Sequence, residues 1–163
     1  MRRVLPLAFA VLAGFLTACA PFGLVRPGAS EADMRRSMGT PAMEFDLPDG
    51  TRQLVFPTGP LGTQTFMVYV GNGSVVRSDQ VLTDDTFFRI QNGVTTREEV
   101  RRMLGPPWRV VRFDNLRQDA WDYRFRDSWG YLADFSVMID DRGVVASKVT
   151  ARIESGRGGG MTH

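Results

Sequence analysis

The chain has 163 residues, 43% of them hydrophobic and 23% charged, with 20 basic side chains, 18 acidic ones, one histidine and one cysteine. That length suits one domain, or two small ones sharing a core. A single cysteine excludes a disulfide framework, and a formal net charge of +2 gives no basic excess to argue for a nucleic-acid partner.

The first element is not part of the fold. "MRR" supplies a positive start, and Val4 to Ala18 is an apolar run without charge. The run falls short of the roughly 20 apolar residues that a transmembrane helix needs, so residues 1–18 read as a secretory signal peptide. It ends in "LTAC", Leu16 to Cys19, which resembles the lipobox of bacterial lipoproteins, where a diacylglyceryl group joins the cysteine sulfur before cleavage. Cys19 is thus the expected lipidation site, since a lone thiol in an exported protein has no intramolecular partner. A signal peptide that merely ends near a cysteine is the plainer alternative. Two or more acyl chains give stable anchoring, at about 0.8 kcal/mol per buried methylene. Ala20, rather than Asp, points by resemblance to enterobacterial sorting toward the outer membrane.

Loss of Arg2 and Arg3 with the signal leaves 18 basic and 18 acidic side chains, a formal net charge of zero. Residues 19–29, including "APFGLVRPGA", have no periodicity and read as a lipidated tether. Ten extended residues reach roughly 30 Å, which keeps the folded part near its membrane.

"SEADMRRSMGTPAMEF", Ser30 to Phe45, is the next element: a cap at Ser30, a helix, and a Gly39-x-Pro41 stop. "QLVFP" at 53–57 alternates as a strand. "FMVYVGNGSVV" at 66–76 is strand, turn, strand, with Asn72-Gly73 at the bend. "LTDDTFFRIQNGVT", 82–95, follows, where Thr83 with Asp84 and Asp85 caps a short helix over Phe87, Phe88 and Ile90.

"TREEVRRMLGPPWRV", 96–110, then writes the first helix again. Thr96 and Glu99 form a capping box, and Gly105 with Pro106-Pro107 stops the helix. With Gly39 set on Gly105, Met34, Ser37 and Met38 fall on Val100, Met103 and Leu104, the i, i+3, i+4 spacing of a buried stripe. "AWDYR" at 120–124 answers "QLVFP", and "FSVMIDDRGVV" at 135–145 answers "FMVYVGNGSVV". The chain is therefore a tandem repeat, each unit a helix followed by three or four antiparallel strands, at 30–82 and 83–154. A Gly-rich tail with a disordered composition follows at 155–163. Each unit alone has a thin core, so two units are expected to bury each other's open faces.

Residues 89–145 resemble the SmpA/OmlA family, also called the BamE-like domain. The resemblance rests on Gly93-Val94-Thr95, Val100, Leu104-Gly105-Pro106-Pro107, Trp121-Asp122-Tyr123 and the closing hairpin. It implies an α+β fold of helix plus antiparallel sheet, and the lipobox suits a family with many outer-membrane lipoproteins. Members best known for outer-membrane assembly carry one such domain. A tandem pair resembles the secreted beta-lactamase inhibitory proteins instead.

A search for chemistry finds little. His163 ends the tail and Cys19 is assigned to lipid, so no catalytic triad, Cys–His pair or histidine metal site can be assembled. Asp84–Asp85, Glu98–Glu99 and Asp140–Asp141 read as caps and turns rather than as a hydrolytic carboxylate pair. The expectation is a protein that is not an enzyme, with no cofactor and no metal.

Candidate binding residues are Trp129 and Tyr131, in the loop "RDSWGYL" at 126–132, together with Arg101, Arg102 and Arg109. Rigid aromatics in a connection between strands are typical interface anchors, although they also suit packing over a sheet end. Arg101 and Arg102 beside Glu98 and Glu99 also read as a solvated, salt-bridged face. Taken together, the sequence reads as a non-catalytic envelope lipoprotein on the periplasmic side of the outer membrane. It would bind outer-membrane or periplasmic proteins as an accessory to outer-membrane assembly or envelope integrity. The alternative is an inhibitor or sensor that binds an envelope enzyme through the tandem surface.

Overall fold

A computed structural model describes residues 25–59 and 62–153. The signal segment, Cys19, the tether up to residue 24, and the tail at 155–163 lie outside the described residues. The fold is α+β and contains two repeated helix-plus-sheet units.

The first unit is α1 (Glu31–Met38) followed by β1 (Met43–Asp46), β2 (Arg52–Pro57), β3 (Thr65–Gly71) and β4 (Ser74–Gln80), an antiparallel sheet in sequence order. After the short α2 (Asp84–Phe88) comes the second unit. It is α3 (Arg97–Leu104), then β5 (Arg109–Phe113), β6 (Gln118–Arg126), β7 (Leu132–Asp140) and β8 (Val145–Arg152), again antiparallel in order.

Capping explains why both long helices start where they do. Ser30 accepts the Asp33 N–H at 3.1 Å, and Thr96 forms the full capping box with Glu99. Each helix ends on a glycine in a conformation nearly closed to other residues, φ 80°, ψ −149° at Gly39 and φ 81°, ψ −160° at Gly105. Met34 and Met38, and likewise Val100 and Leu104, are buried on their own sheets. Each such side chain contributes about 1.5–3 kcal/mol by leaving water.

The repeat extends to single hydrogen bonds. Glu31 N–H donates to Gly73 O as Arg97 N–H does to Gly143 O, both clamping a helix start onto the hairpin between the last two strands. The register break between Tyr69 and Val70 recurs between Met138 and Ile139. One detail differs from the sequence alignment. Val70 pairs with Val75 and Ile139 with Val145, so Val75 matches Val145, not Val144. The turn Asp141-Arg142-Gly143 holds one residue more than Asn72-Gly73, and that residue shifts the last strand. A second difference concerns α2. Phe87 and Ile90 are buried as expected, but Phe88 is 78% exposed because a five-residue helix turns only one side to the core.

The units meet at Gly105. Tyr123 Oη donates to its carbonyl at 3.2 Å from the second sheet, while Val55, Thr65 and Met67 of the first sheet crowd the space that a Cβ would take there. Burial between the units is one-sided rather than mutual. The C-terminal end of α3 covers the outer face of the first sheet, where Gln53, Val55 and Met67 are buried. The outer face of the second sheet leaves Phe113 and Val149 exposed and carries ion pairs at its centre. One inter-unit helix can cover only one of the two faces.

Candidate functional site

The β6–β7 turn, Asp127 to Tyr131, projects the two aromatics singled out from the sequence. Trp129 is 79% exposed and Tyr131 60% exposed. Neither packs over the sheet end, so the core reading of this loop fails.

The turn is braced from within. Asp127 accepts the N–H groups of Trp129 at 3.0 Å and Tyr131 at 2.9 Å, and receives Arg152 Nε at 2.6 Å. The Arg152 guanidinium also stacks over the Tyr131 ring, 4.7 Å from its centroid. Gly130, at φ +83°, closes the turn by donating to Asp127 O at 2.8 Å. Partial burial works to raise the pKa of Asp127. The bonds from Arg152 and the two backbone N–H groups outweigh it and leave the carboxyl below its ordinary range. The turn backbone and the Tyr131 ring are thereby held in place before any partner arrives, which lowers the entropy cost of docking.

Asp127 and Arg152 did not stand out in the sequence. An Asp three residues before a Gly is a turn signal that identifies Asp127. Arg152 is 25 positions away and reaches the turn only because β8 runs beside β7.

The three arginines do not join this turn or each other. Arg101 lies over the Trp121 ring, 5.2 Å from its centroid. Arg102 lies over Phe45 of the first unit at 4.9 Å and is 3.9 Å from Glu98. Arg109 sits on the outer face of the second sheet, its Nε 2.7 Å from buried Asp122, which also accepts from Ser136 Oγ at 2.6 Å. Arg109 and Arg124 flank Trp108 at 4.7 and 4.3 Å. Arg109 is thus committed to a structural cluster. Alternation along β6 predicts that Asp122 faces water, yet the long arginine side chains bury it.

Among the described residues no group of three or more His, Cys, Asp or Glu is placed to hold a metal ion. No helix among them is long and apolar enough to cross a membrane.

No family model and no curated protein matches the chain. Among solved structures, a DUF4309 family protein (YjgB) from Bacillus subtilis is 12% identical, with a TM-score of 0.32, over 76% of this chain and 78% of that one. Similarity at that level assigns neither fold nor function to this chain.

Proposed function

We propose that the protein is a non-catalytic envelope lipoprotein, anchored at Cys19 to the outer membrane, that binds another envelope protein through Trp129 and Tyr131. The observation that carries this reading is the braced, exposed aromatic pair. Large rigid side chains of this kind supply most of the binding energy at protein interfaces. The accessory role in outer-membrane assembly or envelope integrity rests on the resemblance to the BamE-like domain.

Two measurements test the reading. Cys19→Ser should abolish labelling with palmitate and release the protein from the outer-membrane fraction; unchanged attachment would refute the anchor. A photocrosslinking amino acid at position 129 in intact cells should give a discrete adduct with an envelope protein, whereas one at exposed position 142 should not. Equal adducts at both positions, or none at 129, would remove the turn as the binding surface.

A further inference from the structure

Three dipeptides in the chain set an aspartate or asparagine before a glycine: Asp49-Gly50, Asn72-Gly73 and Asn92-Gly93. Such a pair can react with itself, because the glycine nitrogen can attack the preceding Cγ and no glycine side chain obstructs the approach. Asn72 and Asn92 are both exposed, so access to water does not separate them. Hydrogen bonding does.

The attacking nitrogen is held at two of the three sites. Gly93 N–H donates to Val145 O at 2.7 Å, and the N–H groups of Val94 and Thr95 donate to Gln91 O at 3.3 and 2.9 Å. Gly50 N–H donates to Leu47 O at 3.0 Å, while the Asp49 carboxylate accepts Thr51 N–H at 3.0 Å and Thr51 Oγ1 at 2.7 Å. At Asn72-Gly73 both reacting groups are free. Among the described residues nothing accepts the Gly73 N–H and nothing bonds the Asn72 side chain. Asn72 at φ 50° and Gly73 at φ 74° are the paired left-handed residues of a two-residue hairpin turn. A Cβ on Gly73 would meet nothing within 4 Å, so the turn has room to rearrange and to admit water.

The place of this turn gives its modification a consequence. Gly73 O accepts the N–H of Glu31, the first residue of α1, at 2.9 Å. The matching bond of the second unit, Arg97 N–H to Gly143 O at 2.7 Å, uses a glycine that follows Arg142, whose side chain has no carbonyl to attack.

We propose that Asn72 is a site of deamidation through a succinimide with Gly73, and that the isoaspartate product releases the clamp on α1. The Gly73 nitrogen bonds to Asn72 Cγ and loses its proton, the bond from Cγ to the side-chain nitrogen breaks, and ammonia leaves with that proton. Water then opens the ring at either carbonyl, giving aspartate or isoaspartate. Isoaspartate carries the backbone through the side chain and lengthens the two-residue turn by one carbon, which moves Gly73 O away from Glu31. This chemistry does not depend on the aromatic turn or on any partner.

The test incubates the full chain in detergent in mildly alkaline buffer, with and without urea. Mass spectrometry of its peptides follows conversion at each site, and isoaspartyl methyltransferase labelling locates isoaspartate. In buffer Asn72 should convert at least about tenfold faster than Asn92, whose nitrogen must first lose its bond, and in urea the two rates should converge. Asn72→Gln should remove the early methyl labelling. Hydrogen exchange of the isoaspartate form should show lost protection at the Glu31 amide and unchanged protection at Arg97. Conversion at Asn92 as fast as at Asn72 in buffer, a difference that persists in urea, or intact Asn72 in buffer after the urea sample has converted would each overturn the site. Unchanged protection of Glu31 in the isoaspartate form would overturn release of the clamp.

Discussion

Gly105 lies so close to Val55 that a Cβ on the glycine would stand 2.8 Å from the valine Cγ1. Its repeat counterpart, Gly39, has almost the same φ and ψ and nothing within 4 Å of the same position. The pair separates the two costs of replacing a helix-ending glycine, backbone strain and steric conflict.

Gly39→Ala should cost about 1–3 kcal/mol, the price of a backbone region nearly closed to L side chains. Gly105→Ala should cost that much and about 1–3 kcal/mol more, because Val55 and Thr65 belong to packed strands that cannot move aside freely. Urea unfolding of the two variants measures the difference. Equal losses would mean that the inter-unit contact at Gly105 contributes nothing.

Changing Trp129 and Tyr131 together to Ala should leave the unfolding midpoint close to that of the parent, since both side chains project into solvent. Capture of the partner should weaken by about 2 kcal/mol or more, roughly thirtyfold. A loss of several kcal/mol of stability would instead place the pair in a core, and retained capture would remove them as anchors.

The order of the turn should depend on pH through Asp127. Its folded pKa lies below the unfolded value, so its contribution is complete above the ordinary Asp range near about 3.9 and is lost as pH falls through the lower folded value. Protonation would release Arg152 and the two N–H groups. Amide shifts of Trp129 and Tyr131 should therefore titrate with a midpoint below about 3.9, and Asp127→Asn should remove that titration. A midpoint at or above the ordinary value would contradict the bracing role.

Lys148, the single lysine, donates from Nζ to Phe87 O at 2.8 Å and Ile90 O at 2.5 Å, closing the end of α2. Lys148→Met keeps the stem but loses the charge-assisted bonds to the helix carbonyls. The expected cost is about 1–2 kcal/mol, with early hydrogen exchange confined to residues around 84–90. Unaltered exchange there would show that the α2 carbonyls find other partners.

The sequence by itself determined what is local and repeated. Ser30 and Thr96 cap helices, Gly39 and Gly105 end them, and alternating apolar residues make the strands, because each of these signals acts within a few positions of chain. Setting one copy against the other made the tandem α+β fold legible, including which side of each helix is buried. Only tertiary structure decided how the copies meet. The burial of Asp122 follows from Arg109 and Ser136, which reach it across neighbouring strands. Arg152 braces Asp127 and Tyr131 across the β7–β8 pairing, and Arg77, Arg89 and Arg102 share a cleft although they come from three elements. The one-sided contact at Gly105 belongs here too, since two nearly identical helix ends meet different surroundings. Charge pairing and burial depend on distance in space, and residues scattered along a chain do not reveal that distance until the sheets bring them together.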